Sequence, residues 1–517
     1  MAKSHARTMN LVDRLVSYVS PAAGLRRVGA RAAMTALQSS MSPYEADTAG
    51  RHRKFYTDRY SPNGLTQKSA LAIRAQARQL HRNHDVSRGI LRTMVNNIVG
   101  PNGIGVEPQP RRADGSIHEE YAKALRDGWR EHMLKPEVTR RHTGAKVQRL
   151  MCLTWVRDGE SFAQELVGPV AGLRHAGKVP LSLEMFEPDL VPYDFRLGAN
   201  TTQGIERNAW GEPTAFWVLK GHPGDSVSLA DVKRVPANRV HHIALLDRIG
   251  QMRGVSEFAS IITRLEDVKD YEESERIAAK IAAALTAFVK RTTPDGYQAA
   301  EVGEDGQPKA RNLSMAPGMI IDSLAAGEEI GVIASDRPNP NLITFRQGQL
   351  RAIAAGVGAS YSSIARDYGG TFSSQRQELV EQWVNYATLA DEFTGQFVQP
   401  WYGSYVQVSD MSGAIPMPAD VVPHTADDCL FIAQSMPWID PAKEADAYVA
   451  LARAGFASEV EILRKRGLNP RDHLEQIDAW RKLVREKGLV FTSDGAVAEA
   501  GGVKDPNAGD GNQTPNP

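Results

Sequence analysis

The carboxylates Glu184, Glu187, Asp189 and Asp194 crowd the run LEMFEPDLVPYD, and acids gathered this closely are what a two-metal nuclease would need. The run itself argues against that chemistry. Side chains of a strand alternate between its faces, and two prolines with the turn they mark spread the acids along a rim. Gly172 to Val179, GLRHAGKV, has the glycine and lysine spacing of a phosphate-binding loop. Val179 stands where Mg²⁺ coordination needs Ser or Thr, and Pro180 follows where the phosphate-binding helix would begin, so the segment reads as a turn. His81 and His84 in HRNH have metal-ligand spacing but no third ligand beside them. His241 and His242 are neighbours on a strand, face opposite ways, and at most one can serve any site. No HExxH or GxSxG occurs. Cys152 and Cys429 are far apart without a CxxC, which supports neither a disulfide framework nor a thiolate metal site and fits a reducing cytoplasm. No catalytic residue, metal or cofactor is expected.

The elements that would position any site are more informative. From Val255 to Arg291 there is no Pro or Gly. Phe258, Ile261, Ile262, Leu265 and Val268 recur at helical spacing, while Glu266, Asp267, Asp270, Glu272, Glu273 and Glu275 crowd the remaining surface. At 1.5 Å per residue such a helix extends roughly 55 Å, more than an ordinary core needs and suited to a shaft in an assembly. A stretch rich in Gly, Pro and charge follows and predicts turns and short strands. A second helical run starts near Phe345, with Leu350, Ile353, Ala354 and Val357 in period. The pattern is up, across a small β module, and back down.

Elsewhere, Ser69 to Val99 predicts one helix stopped by Gly100 and Pro101. Ile104 to Ala244 is dominated by short β-type runs, interrupted by one helix at about Glu119 to His132. A helix from about Ser374 to Val398 is expected to close at Pro400. The C-terminal module is helical, clearest at Ala442 to Ala454 and Ser458 to Arg466, where Ser458 and Glu461 have capping-box spacing. The fold class is α+β. The tail from Thr492 lacks apolar content and is expected to be disordered.

The chain has 517 residues, 42% of them hydrophobic, which is ordinary globular composition and room for several packed units. Basic and acidic residues both total 61, so global charge predicts neither a nucleic-acid sponge nor an acidic tail. The first ninety or so residues are nonetheless basic, with Arg26, Arg27, Arg31, Arg74 and Arg78 among many; this is compatible with nucleic acid nearby but as a lone signal reads more often as a solvated surface. Residues 1–65 read as a short amphipathic helix plus a flexible arm, and Asp13 and Arg14 interrupt any signal-peptide core. Ile277 to Val289, broken by Lys280, falls short of a membrane span.

Several blocks in this order resemble one family. RAQARQLHRNHDVSRGILRTMVNNIVGPNGIGVEPQP, LEMFEPDLVP, GVSEFASIITRLEDVKDYEESERIAAKIAA, LRAIAAGVGASYSSIARDYGGTFSSQR and WIDPAKEADAYVALARAGFASEVEILRKRGLNP are collinear with blocks of the lambda-like portal proteins of tailed bacteriophages. The resemblance covers about residues 70 to 490. It departs at Phe372, where the family usually has Tyr, and at Gln375, where it has a small residue.

The resemblance implies a portal fold: a basic arm at 1–65, a mixed α/β wing at 66–254, antiparallel stem helices at 255–291 and 345–360 with a β-containing clip at 292–344, a tunnel loop at 361–373, a long helix and link at 374–424, a helical crown at 425–491 and the tail at 492–517. It implies a homo-oligomeric ring of twelve subunits at one capsid vertex of the virion, assembled in the host cytoplasm, that conducts double-stranded DNA during packaging and ejection. Its partners would be the terminase large subunit, the major capsid protein and scaffold, and head-tail connector proteins, with no membrane involved. DNA must slide in such a channel, and phosphate-binding walls would stall it. Glu266, Asp267, Asp270 and Glu273 are therefore expected on the channel face of the stem, with Phe258, Ile261, Ile262 and Leu265 packing on the second stem helix or a neighbouring subunit. The tunnel loop would offer Arg366, Asp367, Tyr368, Gly369, Gly370, Thr371, Phe372, Ser373, Ser374 and Arg376 to DNA, its glycines allowing unusual backbone angles. The alternative reading is a nucleic-acid processing enzyme, a nuclease or packaging ATPase, which the failed phosphate loop and scattered carboxylates weaken.

Overall fold

Capping side chains and glycines set the helix ends of this chain, several of them where periodicity predicts no boundary. The computed structural model describes residues 11–40, 58–225, 231–283, 287–291, 328–332, 341–436, 440–489 and 491. Residues 1–61 and 62–517 form two compact units. In the first, α1 (Leu11–Val19) and α2 (Pro21–Ser40) are separated only by Ser20, and a Cβ on Gly24 would come within 2.5 Å of Ser17. The expected flexible arm thus holds a second helix. Pro21 opens it in the first turn, where its missing N–H costs nothing, and alanine, arginine and leucine sustain it.

The second unit begins with α3 (Pro62–Asn83) and α4 (Asp85–Ile98), where periodicity predicts one helix from Ser69 to Val99. His84 causes the break. Its backbone turns to φ −126° and ψ 119°, and its ring accepts a hydrogen bond from the Val86 N–H at 3.2 Å, so it caps the new helix. After β1 (Gly105–Pro108) comes α5 (Glu119–His132), at its expected place. A second helix, α6 (Gly144–Asp158), lies in the stretch read as β-type. Its β-branched and aromatic content misleads, but Thr143 caps its start by accepting from the Lys146 N–H, and Gly159 ends it at φ 90°.

The strands that follow are β2 (Glu160–Val167), β3 (Leu181–Phe186), β4 (Thr201–Thr202), β5 (Ile205–Arg207), β6 (Pro213–Leu219), β7 (Val232–Pro236) and β8 (Val240–Ala244). One antiparallel sheet has the three-strand order β3-β2-β8 and a second the four-strand order β4-β5-β6-β7. Ile205, Phe216, Val218 and Val235 of the four-stranded sheet pack with Phe162 of β2.

The helix expected over 255–291 is α7 (Ile262–Ala283), preceded by a 3-10 turn at Glu257–Ser260. Its 22 residues make it about 33 Å long rather than 55. The C-terminal end differs because Ala287–Arg291 is a strand, β9, paired antiparallel with β10 (Glu328–Val332). Phe288 and Val289 suit a ladder better than a helix, and a distant strand supplies it. Residues 292–327 and 333–340, most of the expected clip, lie outside the described residues, as does the expected disordered tail at 492–517.

The chain returns through α8 (Leu342–Gly356), the short α9 (Tyr361–Ala365) and α10 (Phe372–Phe393). Pro400 does not close this run. A π-helical turn at Thr394–Val398 widens the helix, Gln399 bonds back to Thr394, and α11 (Gln399–Met411) continues with the proline in its first turn, where no donor is needed. The main core gathers here, with Trp155, Phe393, Phe397 and Trp401 fully buried. β11 (Cys429–Ile432) pairs with β1, and α12 (Pro441–Arg453), α13 (Glu459–Lys465) and α14 (Pro470–Glu486) follow. Ser458 caps α13, accepting from the Glu461 N–H at 3.1 Å. The module is tied to the body through buried Glu107, which receives Arg464 at 2.9 Å and Arg471 at 2.6 Å. Among the described residues no helix is long and apolar enough to cross a membrane.

Candidate functional site

A buried ionic hub fixes the foot of α7. Glu160 opens β2 right after Gly159, and the segment entering α7 lies against it so closely that a Cβ on Gly254 would meet the Gly159 carbonyl at 1.9 Å. Glu160 is fully buried and accepts from Arg74 Nη2 at 2.7 Å, Arg253 Nη2 at 2.7 Å, His242 Nε2 at 3.0 Å and the Gly254 N–H at 3.2 Å. Burial pushes its carboxyl up, but the charge of Arg253, the His242 and Arg253 hydrogen bonds and the charge of Arg74 outweigh it and hold the group well below the carboxylate range. Arg253 also donates to the Val191 and Gln203 carbonyls, and its guanidinium lies 4.0 Å from the Tyr193 ring centroid. Beside it Arg78 bonds Asp158 at 2.7 Å. Arg74 and Arg78 were thus misread as solvated surface; Arg74 is buried and Arg78 is half-enclosed by acids. No local motif announces the hub, because its members come from distant segments.

From that foot α7 and α8 run antiparallel. A Cβ on Gly356 would meet Ile261 at 2.6 Å, Arg264 donates to Gln349 at 3.0 Å, and Tyr271 and Phe345 pack with ring centroids 4.8 Å apart. Arg346 forms an ion pair with Glu272. Phe258, Ile261, Ile262 and Leu265 are all buried in the main core, together with Leu350, Ile353 and Val357. Glu266, Asp267, Asp270 and Glu273 are all exposed, and their spacing puts them on one face of α7.

The loop between α9 and α10 is shorter than the expected 361–373, since α9 takes up Tyr361–Ala365 and Thr371 already caps α10 through the Ser374 N–H. The unusual backbone angle falls on Arg366, at φ 55°, and not on Gly369 or Gly370. Arg366 is the C-cap of α9, a left-handed position that Gly usually fills. Its guanidinium donates to Thr93 Oγ1 of α4 at 3.2 Å and to the Tyr368 hydroxyl at 3.4 Å. Asp367 accepts from the Tyr361 hydroxyl at 2.8 Å and from the Gly369 N–H at 3.2 Å. Gln375 Nε2 donates to the Tyr368 carbonyl at 2.5 Å. Tyr368, Phe372, Ser373, Ser374 and Arg376 are exposed.

The other candidates are accounted for by structural partners. Glu184 pairs with Lys233 at 3.6 Å and Asp194 accepts from Gln67 at 2.8 Å. Glu187, Asp189 and His222 bring ligand atoms within 4.8 Å of one another, but Arg78 Nη2 lies 2.5 Å from Asp189 and 3.5 Å from Glu187, so a cation already stands beside both acids. His175 in GLRHAGKV bridges Ser182 Oγ and the Gly168 carbonyl, both at 2.8 Å, inside a turn. His241 bonds Glu165 and His242 bonds Glu160, on opposite faces of β8.

A mixed helix and sheet body thus carries the antiparallel pair α7 and α8, with the polar loop between α9 and α10 following that pair in the chain. Residues 48–389 match the model of the phage portal protein, lambda family, and the chain belongs to that family. It is 25% identical over 454 residues to a probable portal protein of Halomonas phage phiHAP-1, covering 83% of this chain and 84% of that one. It is 21% identical over 297 residues to portal protein B of Escherichia phage lambda, covering 52% of this chain and 56% of that one. Among solved structures, a chain of the native gene transfer agent virion aligns with TM-score 0.41 at 14% identity, over 81% of this chain and 97% of that one.

Proposed function

We propose that twelve copies of this portal protein form a ring at one capsid vertex of the virion and that double-stranded DNA is packaged and later ejected through it. In this reading α7 and α8 are the stem, β9 and β10 begin the clip, residues 66–254 form the wing, residues 366–371 the tunnel loop, and α12 to α14 belong to the crown. The observation that carries it is the division of α7 into two faces: Ile262, Leu265 and Val268 are buried, while Glu266, Asp267, Asp270 and Glu273 stand exposed together. A wall of carboxylates does not neutralise phosphates, so it releases no counterions and lets the duplex slide. Tyr368 of the loop and Phe372 and Arg376 at the start of α10 are the side chains offered to the duplex, with Arg366 holding the loop to α4. The chain supplies no chemical step; the terminase large subunit would hydrolyse ATP while docked at the clip, and head-tail connector proteins would later take the same end. The major capsid protein and scaffold would surround the ring as it assembles in the host cytoplasm. Replacing Asp267 and Asp270 by lysine should slow DNA packaging in vitro while rings still form. Wild-type packaging rates in that variant would contradict the sliding role.

A further inference from the structure

α3 and α4 hold five arginines but a single acid, Asp85. Arg74 and Arg78 are taken up by Glu160, Asp158 and Asp189. Arg82, Arg88 and Arg92 are exposed, and among the described residues none of the three side chains has an ion pair or a hydrogen bond. Arg88 and Arg92 stand one turn apart on the same face of α4, about 6 Å along its axis. Arg82 lies in the last turn of α3 beside them. Burial, then the charges of Arg157, Arg88 and Arg82, press the His81 ring below its ordinary value against the pull of Asp158, so these guanidinium groups share one neighbourhood. Asp85 is engaged at its own helix end, where it accepts from the Val86 N–H at 2.8 Å and lies 3.2 Å from His84 Nδ1. No large apolar side chain between Leu71 and Leu134 is exposed, so the face lacks the apolar centre of a protein interface. Gly89 follows Arg88 inside α4, where glycine weakens a helix, and nothing packs within 4 Å of the place its Cβ would take. No contact inside the chain requires it, and its bareness leaves the helix backbone open to close approach.

We propose that Arg82, Arg88 and Arg92 form a stripe that grips the phosphates of duplex DNA, with Gly89 letting a sugar-phosphate strand come close to α4. Arginine forks match phosphate oxygens and carry no sequence preference. The occupant follows from charge, since three unpaired guanidinium groups without an apolar centre fit a polyanion. It follows also from continuity, because Arg366 of the loop offered to the duplex bonds Thr93, the residue after Arg92. The inference rests on the conduit reading and adds a surface opposite in character to α7: the acids let the duplex slide, and the stripe holds it.

The test follows the anisotropy of a short labelled duplex with the full chain across a salt series. Arg88→Gln with Arg92→Gln removes two contacts, so the slope of log affinity against log salt should fall by about 2 for each chain that touches the duplex, with affinity down roughly tenfold or more at moderate salt. Gly89→Leu keeps every charge and raises helix propensity, so it should weaken binding while the thermal midpoint stays no lower than that of the wild type. Arg196→Gln with Arg239→Gln removes the same charge from exposed sites elsewhere and should bind as the wild type does. An equal loss in that control would mean that net charge alone acts, and would overturn the stripe. Wild-type binding by Arg88→Gln with Arg92→Gln would overturn it too, and if that variant also lost the wild-type particle mass by mass photometry, the arginines would belong to a contact with acids of another copy. If the wild-type chain forms no ring, the ring reading fails, and the same comparison on separate chains still decides the stripe.

Discussion

Glu160 shows how much of the fold rests on single buried residues. Five residues, Arg74, Arg253, His242, Tyr193 and Gly254, donate to one fully buried carboxylate, two of them through guanidinium groups. Removing its charge strands buried Arg253 without a counter-ion, so Glu160→Gln should lower the unfolding free energy by about 3–5 kcal/mol in urea titrations. Its effect depends on pH with a definite sign. The Glu160 and Asp158 carboxyls both lie below their unfolded values. The unfolded chain therefore binds more protons as pH falls through about 4, so the stability these groups supply is complete above that range and is lost below it. Glu160→Gln should flatten part of that acid limb; an unchanged limb would mean that the hub contributes nothing to it. None of this was legible in the sequence, where Arg74 reads as surface and Glu160 as an unremarked strand start. The exposed acids of α7 were legible, because helical period alone separates Glu266, Asp267, Asp270 and Glu273 from Leu265 and Val268.

At the level of elements, boundaries written in neighbouring residues were readable and those written in distant ones were not. α5 and α13 fall where periodicity and caps put them. α7 stops short of Arg291 because β9 finds a partner in β10, and α10 passes into α11 because a π turn lets Pro400 begin a new helix instead of ending the old one. Loop flexibility was assigned to Gly369 and Gly370, while the left-handed residue is Arg366, where a helix cap and the bond to Thr93 decide the backbone. The tightest point of the helix pair is Gly356, whose missing Cβ leaves room for Ile261. Gly356→Val should overpack that contact and cost about 1–3 kcal/mol, read as a shift in the denaturation midpoint. An unaffected midpoint would mean that the two helices are held by their ends alone.

For the whole molecule, neutral overall charge hides an uneven distribution, with Glu266, Asp267, Asp270 and Glu273 making an exposed acidic face along α7. In the proposed ring that face would line the channel. The fold class and the order of blocks were readable because they depend on composition, period and collinear motifs. Contacts between copies, which the proposed ring requires, were not, because half of each would belong to another copy. The measurement that tests the ring most directly is the particle mass of the purified chain by mass photometry, with negative-stain images of the same sample. Twelve chains of 56.6 kDa give a closed particle of about 680 kDa with a central hole. A compact monomer or dimer that persists at high concentration and across salt conditions would contradict the ring, and with it the channel role of α7.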